Sequence, residues 1–192
     1  MYKITVPPTA EPISLTDAKN HLKVDYDDDD ALIEVIITAV REYVEIYVGR
    51  ALMPQTIQEY FDTFPCVTDH NPRAGIEARF APLQSLTYLK YIDTGGGTIT
   101  LTADTDYYFD NISEPPRIFP AFGKTWPTVR NQPNAMWFEY IAGYTQASDV
   151  PAIIKQAMLI MIAKMYEQRE DSVKNLPTVA ENYLNKVRIR YM

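Results

Sequence analysis

The chain has 192 residues, of which 46% are hydrophobic and 22% charged, with a single cysteine, Cys66. This is globular usage, sized for one domain or one domain with a sizeable insertion, and it can bury about 70% of the unfolded surface without a disulfide or a metal. One cysteine excludes an intramolecular disulfide and fits a reducing compartment. The formal net charge of −7 is spread unevenly: residues 1–50 and residues 51–154 each carry −5, and residues 155–192 carry +3. An acidic body argues against wrapping nucleic acid, because phosphate contacts need Lys and Arg.

The segment MYKITVPPTAEP has one Lys and no long apolar stretch, so it does not read as a signal peptide. The longest apolar run, Ala157 to Ala163, is far below the about 18 residues that suggest a membrane span. Ser14-Leu15-Thr16-Asp17 has the form of a capping box, with the Ser14 hydroxyl on early N–H groups and Asp17 reaching back. It predicts a short helix from Leu15 to about Leu22. Asp27, Asp28, Asp29 and Asp30 suit a helix start, since their oxygens accept orphan N–H groups and their charge opposes the positive helix end. The helix they open is predicted to reach about Val48, with Gly49 as its terminator. Ile33, Ile37, Val40, Val44 and Tyr47 form its buried stripe, and Glu34, Thr38, Arg41 and Glu45 fall on the other side.

From about residue 52 to 145 the pattern changes to short β-rich runs separated by Pro and Gly. Thr56 to Phe64, Ile76 to Phe80, Leu86 to Ile92, Thr98 to Leu101, Asp106 to Asp110, Arg117 to Pro120 and Ala135 to Ala142 are the predicted strands. Asp93 to Gly97 is the tip of a hairpin. Helical periodicity then returns. Ser148 or Asp149 is placed to cap a helix that has Pro151 in its first turn and runs to about Glu170. Its apolar residues lie on most faces, which suits a central helix of a bundle or an interface helix. A second capping box, Thr178 to Glu181, opens a last helix to the C-terminus. The fold class is therefore α+β: a helical bundle built from N- and C-terminal helices, with an inserted antiparallel β region. The divisions fall at residues 1–50, 51–147 and 148–192.

Catalytic and metal motifs fail one by one. Asp25, Asp27 and Asp29 match the first three ligand positions of a calcium loop, but Asp30 stands where Gly is required and Ile36 where a bidentate Glu is required. Cys66 and His70 lie in a Pro-flanked loop without a positioned base or an oxyanion site. Gly95-Gly96-Gly97 lacks the GK[ST] ending of a phosphate loop. No catalytic, metal or cofactor site is predicted. Phe119, Phe122, Trp126, Trp137, Phe138, Tyr140 and Tyr144 form a dense aromatic stretch. It suits core packing or a protein interface better than base stacking, because Lys and Arg are not interleaved.

An ordered set of segments resembles the gp6-like head-tail connector (adaptor) family of tailed phages. It starts with Pro12-Ile13-Ser14-Leu15-Thr16-Asp17-Ala18 and continues to Val24-Asp25 and an acidic helix start. Asp30-Ala31-Leu32-Ile33, Arg41-Glu42-Tyr43-Val44-Glu45 and Gly49-Arg50 follow. Pro116-Arg117-Ile118, Trp126-Pro127, Ala142-Gly143-Tyr144, Val150-Pro151 and Tyr166-Glu167 complete it. The resemblance implies a non-enzymatic virion component at the head-tail junction, made in the host cytoplasm. It implies a ring of about a dozen copies under the portal that joins head to tail and continues the DNA channel. Implied partners are further copies of the chain, the portal protein, a tail-completion or stopper protein, and DNA that passes without sequence-specific binding; no membrane is implied. The long middle insertion departs from the shortest, all-helical adaptors.

Three surfaces are expected to serve assembly: Asp27 to Asp30 toward the channel or a basic partner, Lys186, Arg188 and Arg190 on the portal, and Phe122, Trp126 and Trp137 as aromatic interface candidates. The alternative is a glycan- or ligand-binding β module on a helical stem, which requires a cleft lined by the aromatic rings.

Overall fold

The computed structural model describes residues 1–65, 75–168 and 177–190. They form two compact units, residues 1–7 with 54–143 and residues 8–53 with 144–190. The first is built of antiparallel strands and the second of helices, so the chain is α+β.

In the helical unit, α1 (Leu15–Leu22) is capped by Ser14, whose Oγ accepts from the Asp17 N–H at 3.0 Å. The return half of the expected box differs. The Asp17 carboxylate accepts from the Ser14 hydroxyl at 2.6 Å, because the short aspartate reaches the hydroxyl already beside it. Helix α2 (Asp30–Val48) ends at Gly49, whose φ of 70° is the left-handed conformation that favours glycine. Helices α3 (Ala152–Glu167) and α4 (Thr178–Val187) complete the unit. Pro151 and Pro177 are their N-caps, and neither helix has a side-chain cap. Asp149 instead closes a single 3-10 turn over Ala147–Asp149, accepting from the Gln146 N–H at 3.2 Å. Beyond α4 the chain is extended rather than helical, and the Ile189 N–H donates to the Val48 carbonyl at 2.8 Å. A β-type hydrogen bond to the end of α2 has replaced a further helical turn.

The helical core gathers Ile33, Ile37, Val40, Val44 and Val48 of α2 against Ile154, Ala157, Met158 and Ile162 of α3 and Leu184 of α4. Within the predicted α2 stripe, Tyr47 is only partly buried and Ile36 takes a buried place beside it.

The strand unit holds two sheets. The larger has the order β1 (Tyr2–Val6), β2 (Gln55–Phe61), β8 (Met136–Ala142), β4 (Leu83–Ile92), β5 (Thr98–Leu101). The smaller has the order β3 (Ile76–Glu77), β7 (Arg117–Pro120), β6 (Tyr107–Asp110). Strand β1, which no sequence pattern announced, pairs antiparallel with β2, Ile4 opposite Ile57. Strict alternation along β8 buries Met136, Phe138, Tyr140 and Ala142 on one face. This is the strand for which period-2 patterning was cleanest. Phe138 stacks on Phe61 and Tyr140.

Because Phe138 is fully buried in the middle of the central strand, Phe138→Ala is expected to cost about 3–5 kcal/mol. Trp137→Ala, on the opposite and half-buried face, is expected to cost clearly less. Comparing the two by thermal unfolding checks the assigned register of β8.

Candidate functional site

Helix α2 carries three different surfaces. One is the core stripe. The second is polar and buried. Arg41 and Glu45, expected on the solvent side, are only 4% and 3% exposed. The Arg41 Nε donates to Glu11 at 2.8 Å and its Nη1 to Glu45 at 3.0 Å. Glu11 also accepts from the Thr38 hydroxyl at 3.1 Å, and Glu45 from the Leu52 N–H at 2.7 Å. The guanidinium thus joins the segment before α1 to the turn after α2. A hydropathy count assigns such residues to solvent. Only the pairing of opposite charges four residues apart, plus an acid upstream, allows them to be buried. Beside this network lies a cavity of about 400 Å³ lined by Glu11, Ile13, Ser14, Leu15, Glu34, Ile37 and Thr38.

The third surface of α2 is apolar and exposed. Leu32, Val35, Tyr43 and Ile46 are all solvent-facing, Val35 at 66% and Ile46 at 57%. With exposed Ala39 they recur at spacings of three, four, four and three. Sequence reasoning missed this second stripe, although its spacing was legible, because the stronger core stripe was taken to exhaust the apolar residues of the helix.

The acidic run is not a set of four equivalent caps. Asp29 is the N-cap of α2 but makes no side-chain cap hydrogen bond. Its Oδ2 accepts instead from the hydroxyls of Tyr166 on α3 and of Tyr26. The hydrogen bond to Asp29, followed by that with Tyr26, holds the Tyr166 phenol well above the ordinary tyrosine range. Lys19 on α1 donates to Asp27 at 2.7 Å and to Asp30 at 2.6 Å. The hydrogen bond to Lys19 keeps the Asp27 carboxyl below the usual carboxylate range, and the same pair of bonds raises the Lys19 ammonium. Asp28 is exposed. The run therefore joins α1, α2 and α3 while leaving part of its charge at the surface.

At the other end, Lys186 is exposed on α4, and Arg188 and Arg190 are exposed beyond it. The Arg188 guanidinium lies 5.0 Å from the centre of the Tyr47 ring. Arg50 donates to the Val187 carbonyl at 2.9 Å, so the basic segment is fastened to the end of α2.

The three aromatic candidates lie in different local settings. Trp126 stacks on Phe64 at 4.7 Å between centroids, and Phe64 meets Tyr91 edge-on. Trp137 sits on the outer face of β8, half-buried. Phe122 is 97% exposed, next to Gly123, whose φ is +76°. Cys66 and His70 lie outside the described residues, and among those described no group of three or more His, Cys, Asp or Glu is placed to hold a metal. No helix of the described residues is long and apolar enough to cross a membrane.

Glu59 is the titratable group that strand patterning alone would not single out. It is buried on the inner face of β2 and accepts from the Tyr140 hydroxyl and, at 2.7 Å, from the Arg79 N–H. Burial raises its pKa above the ordinary glutamate value, and the two hydrogen bonds only partly offset this.

Comparison with known proteins agrees with this arrangement. Residues 12–71 match the family model described as phage gp6-like head-tail connector protein. The chain resembles that connector family. The matched span covers α1, α2, the acidic run, and Arg41 and Glu45 of the buried network, with Glu11 just before it, and the family is one of structural connectors, not of enzymes. No curated protein matches the chain. Among solved structures, a chain in the virion of a native gene transfer agent (GTA) particle superposes with a TM-score of 0.80 at 17% identity, covering 100% of this chain and 97% of that one. A chain in the neck of an empty GTA particle, computed with C6 symmetry, gives 0.79 at 16% identity with the same coverage. A chain in the neck of a native GTA particle, computed with C12 symmetry, gives 0.72 at 19%, again covering 100% and 97%. The strand unit is therefore part of the shared fold along with the helices.

Two outcomes follow from the buried charges. Glu45→Ala leaves the Arg41 guanidinium short of a partner and is expected to cost about 3–5 kcal/mol. The double variant Arg41→Met with Glu45→Leu is expected to recover most of that loss in a denaturant titration. For Glu59, the penalised form is the charged one. Its cost is absent below the unfolded value of about 4.5 and grows as pH rises through the raised folded value. Glu59→Gln keeps an acceptor for Tyr140 and Arg79, so it is expected to raise Tm at pH 7 and leave Tm unchanged near pH 4, as read by scanning calorimetry.

Proposed function

We propose that this chain is a structural head-tail connector subunit of a tailed phage or phage-like particle, acting without catalysis at the head-tail junction of the virion. Copies form a ring below the portal, join it to the tail-completion or stopper protein, and continue the DNA channel. The observation that carries this reading is the whole-chain fold shared with chains of particle necks. The connector-family match over the part of the chain that builds α1 and α2 supports it independently. The symmetry of the neck structures, C6 and C12, supports a ring as the form of assembly. A ring repeats one heterologous contact around an axis, so each subunit needs two unlike faces. The polarised charge of this chain and the two-sided apolar pattern of α2 suit that need.

Within the ring, the helical parts of residues 1–50 and 148–192 act as the bundle, and the inserted strands between them supply contacts to neighbours or the tail. Phe122, bare at a turn, and the half-buried Trp126 and Trp137 are the aromatic contacts we assign to those partners. The acidic run Asp27 to Asp30 faces the channel or a basic partner. Asp28 is exposed, and carboxylate charge at such a surface repels passing DNA. The basic end, Lys186 with Arg188 and Arg190, docks on the portal.

The deciding experiment is mass measurement of the purified chain alone and with its portal protein. The expected result is a complex with portal containing many copies of the 22.0 kDa chain; a chain that stays monomeric and separate in the presence of portal overturns the reading. Replacing Asp27, Asp28, Asp29 and Asp30 by Asn is expected to impair DNA delivery, and normal assembly and delivery would refute the channel role. Truncation before Val187 is expected to block joining of heads to tails, whereas normal joining would remove the portal-docking role.

A further inference from the structure

The exposed apolar stripe of α2 is lightly covered within its own helical unit, where the Tyr43 ring stacks on Tyr47. Leu32, Val35, Tyr43 and Ile46 are exposed while the opposite side of the helix is buried. From Leu32 to Ile46 is fourteen residues, or about 21 Å of continuous helix. Scattered exposed apolar residues are ordinary, but an aligned row of this length is the pattern of a helix that packs on two sides. Its border carries one exposed acid, Glu42, which is 63% exposed and 3.7 Å from the Arg41 guanidinium.

A surface that fits this one must be apolar with a cationic edge, and the chain carries such a surface on another element. On α4, Val179 is 52% exposed, Tyr183 is half-buried with part of its surface packed on the helical core, and Lys186 is exposed. Their spacings of four and three put them on one face, apolar toward the start of the helix and basic toward its end. Ala180 and Leu184 take the buried face. Within one subunit α4 is committed to the far half of α2. Tyr47 donates to Asn185 at 3.0 Å, and the end of α4 meets Val48 through Ile189. Lys186 therefore sits level with the C-terminal end of its own α2, about 18 Å along the axis from Val35. Its own subunit does not bring this α4 face onto the outer stripe, but a neighbouring copy can.

We infer that the outer stripe of α2 is the contact that a second copy of this chain covers with the exposed face of its α4, Val179 and Tyr183 on the apolar row and Lys186 beside Glu42. The inference rests on the ring reading and names its repeated contact. One face meets an unlike face, so the contact is heterologous and propagates around an axis instead of closing as a dimer. Charge pairing at the edge selects the register and the apolar row supplies the contact area. Lys186 then belongs to the ring contact, and Arg188 and Arg190 remain for the portal.

The test is cross-linking of the full chain assembled with its portal. In a Cys66→Ser background, Val35→Cys and Val179→Cys are combined in one chain and treated with a short bismaleimide. A ladder of multimers of this chain on a denaturing gel is expected from the double variant, with neither single variant giving more than monomer. Dimers from Val35→Cys alone, links to the portal chain alone, or monomers only would each overturn the inference. A second arm uses charge. Glu42→Lys and Lys186→Glu are each expected to raise the concentration needed for ring assembly at least tenfold, and their combination to restore it. Two single variants that assemble like wild type would also overturn the inference. The two readings fail separately: a wild-type chain that never forms multimers with portal removes the ring itself, whereas wild-type rings that neither cross-link nor respond to charge reversal remove only this contact.

Discussion

The helical unit depends on a buried cation. Arg41 has almost no exposure, yet it is an always-charged group whose removal from water costs several kcal/mol unless it is paired. Glu11 and Glu45 supply that pairing from two different directions. The consequence is geometric. Glu11 lies before α1, Arg41 and Glu45 lie on α2, and Glu45 also receives the Leu52 N–H beyond the helix end. A charge that cannot be left unpaired therefore fixes where the chain enters the unit and how it leaves α2. Gly49 makes the exit sterically possible, and the glutamate chooses its direction.

That arrangement leaves α2 with three distinct sides: one in the core, one holding the ion network, and one bare. The acidic run opens the helix, and its pairing is divided among other elements. Lys19 of α1 binds Asp27 and Asp30, and Tyr166 of α3 binds Asp29. Helix capping was the simple expectation for four aspartates in a row. Longer-range partners won because a lysine ammonium and two tyrosine hydroxyls compete successfully for carboxylates that backbone N–H groups would otherwise hold. Much of this acidic sequence works as internal fastening as well as surface charge.

The strand unit follows a different logic. Its central strand β8 lies between β2 and β4, and its inward row of Met136, Phe138, Tyr140 and Ala142 defines the sheet's buried face. Glu59 is the exception in that face. Tyr140 and the Arg79 backbone satisfy it, at the cost of a carboxyl whose ionised form is disfavoured. Outward-facing residues are less uniform. Trp126 is stacked into local structure, whereas Phe122 stands free at a turn. The shared fold with neck chains spans this unit as well, so the strands are not an appendage peculiar to this sequence.

Local periodicity was enough to determine the α+β class, the extents of α1 and α2, the stop at Gly49, the Asp93–Gly97 hairpin tip and the alternation of β8. In each case the decisive interactions lie within a few residues along the chain: a cap, a left-handed glycine, a period of two or of 3.6. The resemblance to connectors was carried by short segments from Pro12 to Glu167, and the family model matches their N-terminal part, residues 12–71. Tertiary structure alone decided the rest. Strand β1 exists because β2 offers it an edge. The chain after α4 is extended because Val48 offers a carbonyl. Arg41 and Glu45 are buried because Glu11, thirty residues away from Arg41 in sequence, arrives to complete their charge. Asp29 turns from cap to tether because Tyr166 reaches it from α3. A hydrophobic pattern records which residues avoid water. It does not record which distant partner removes the cost of burying a charge, or which apolar row is left without one.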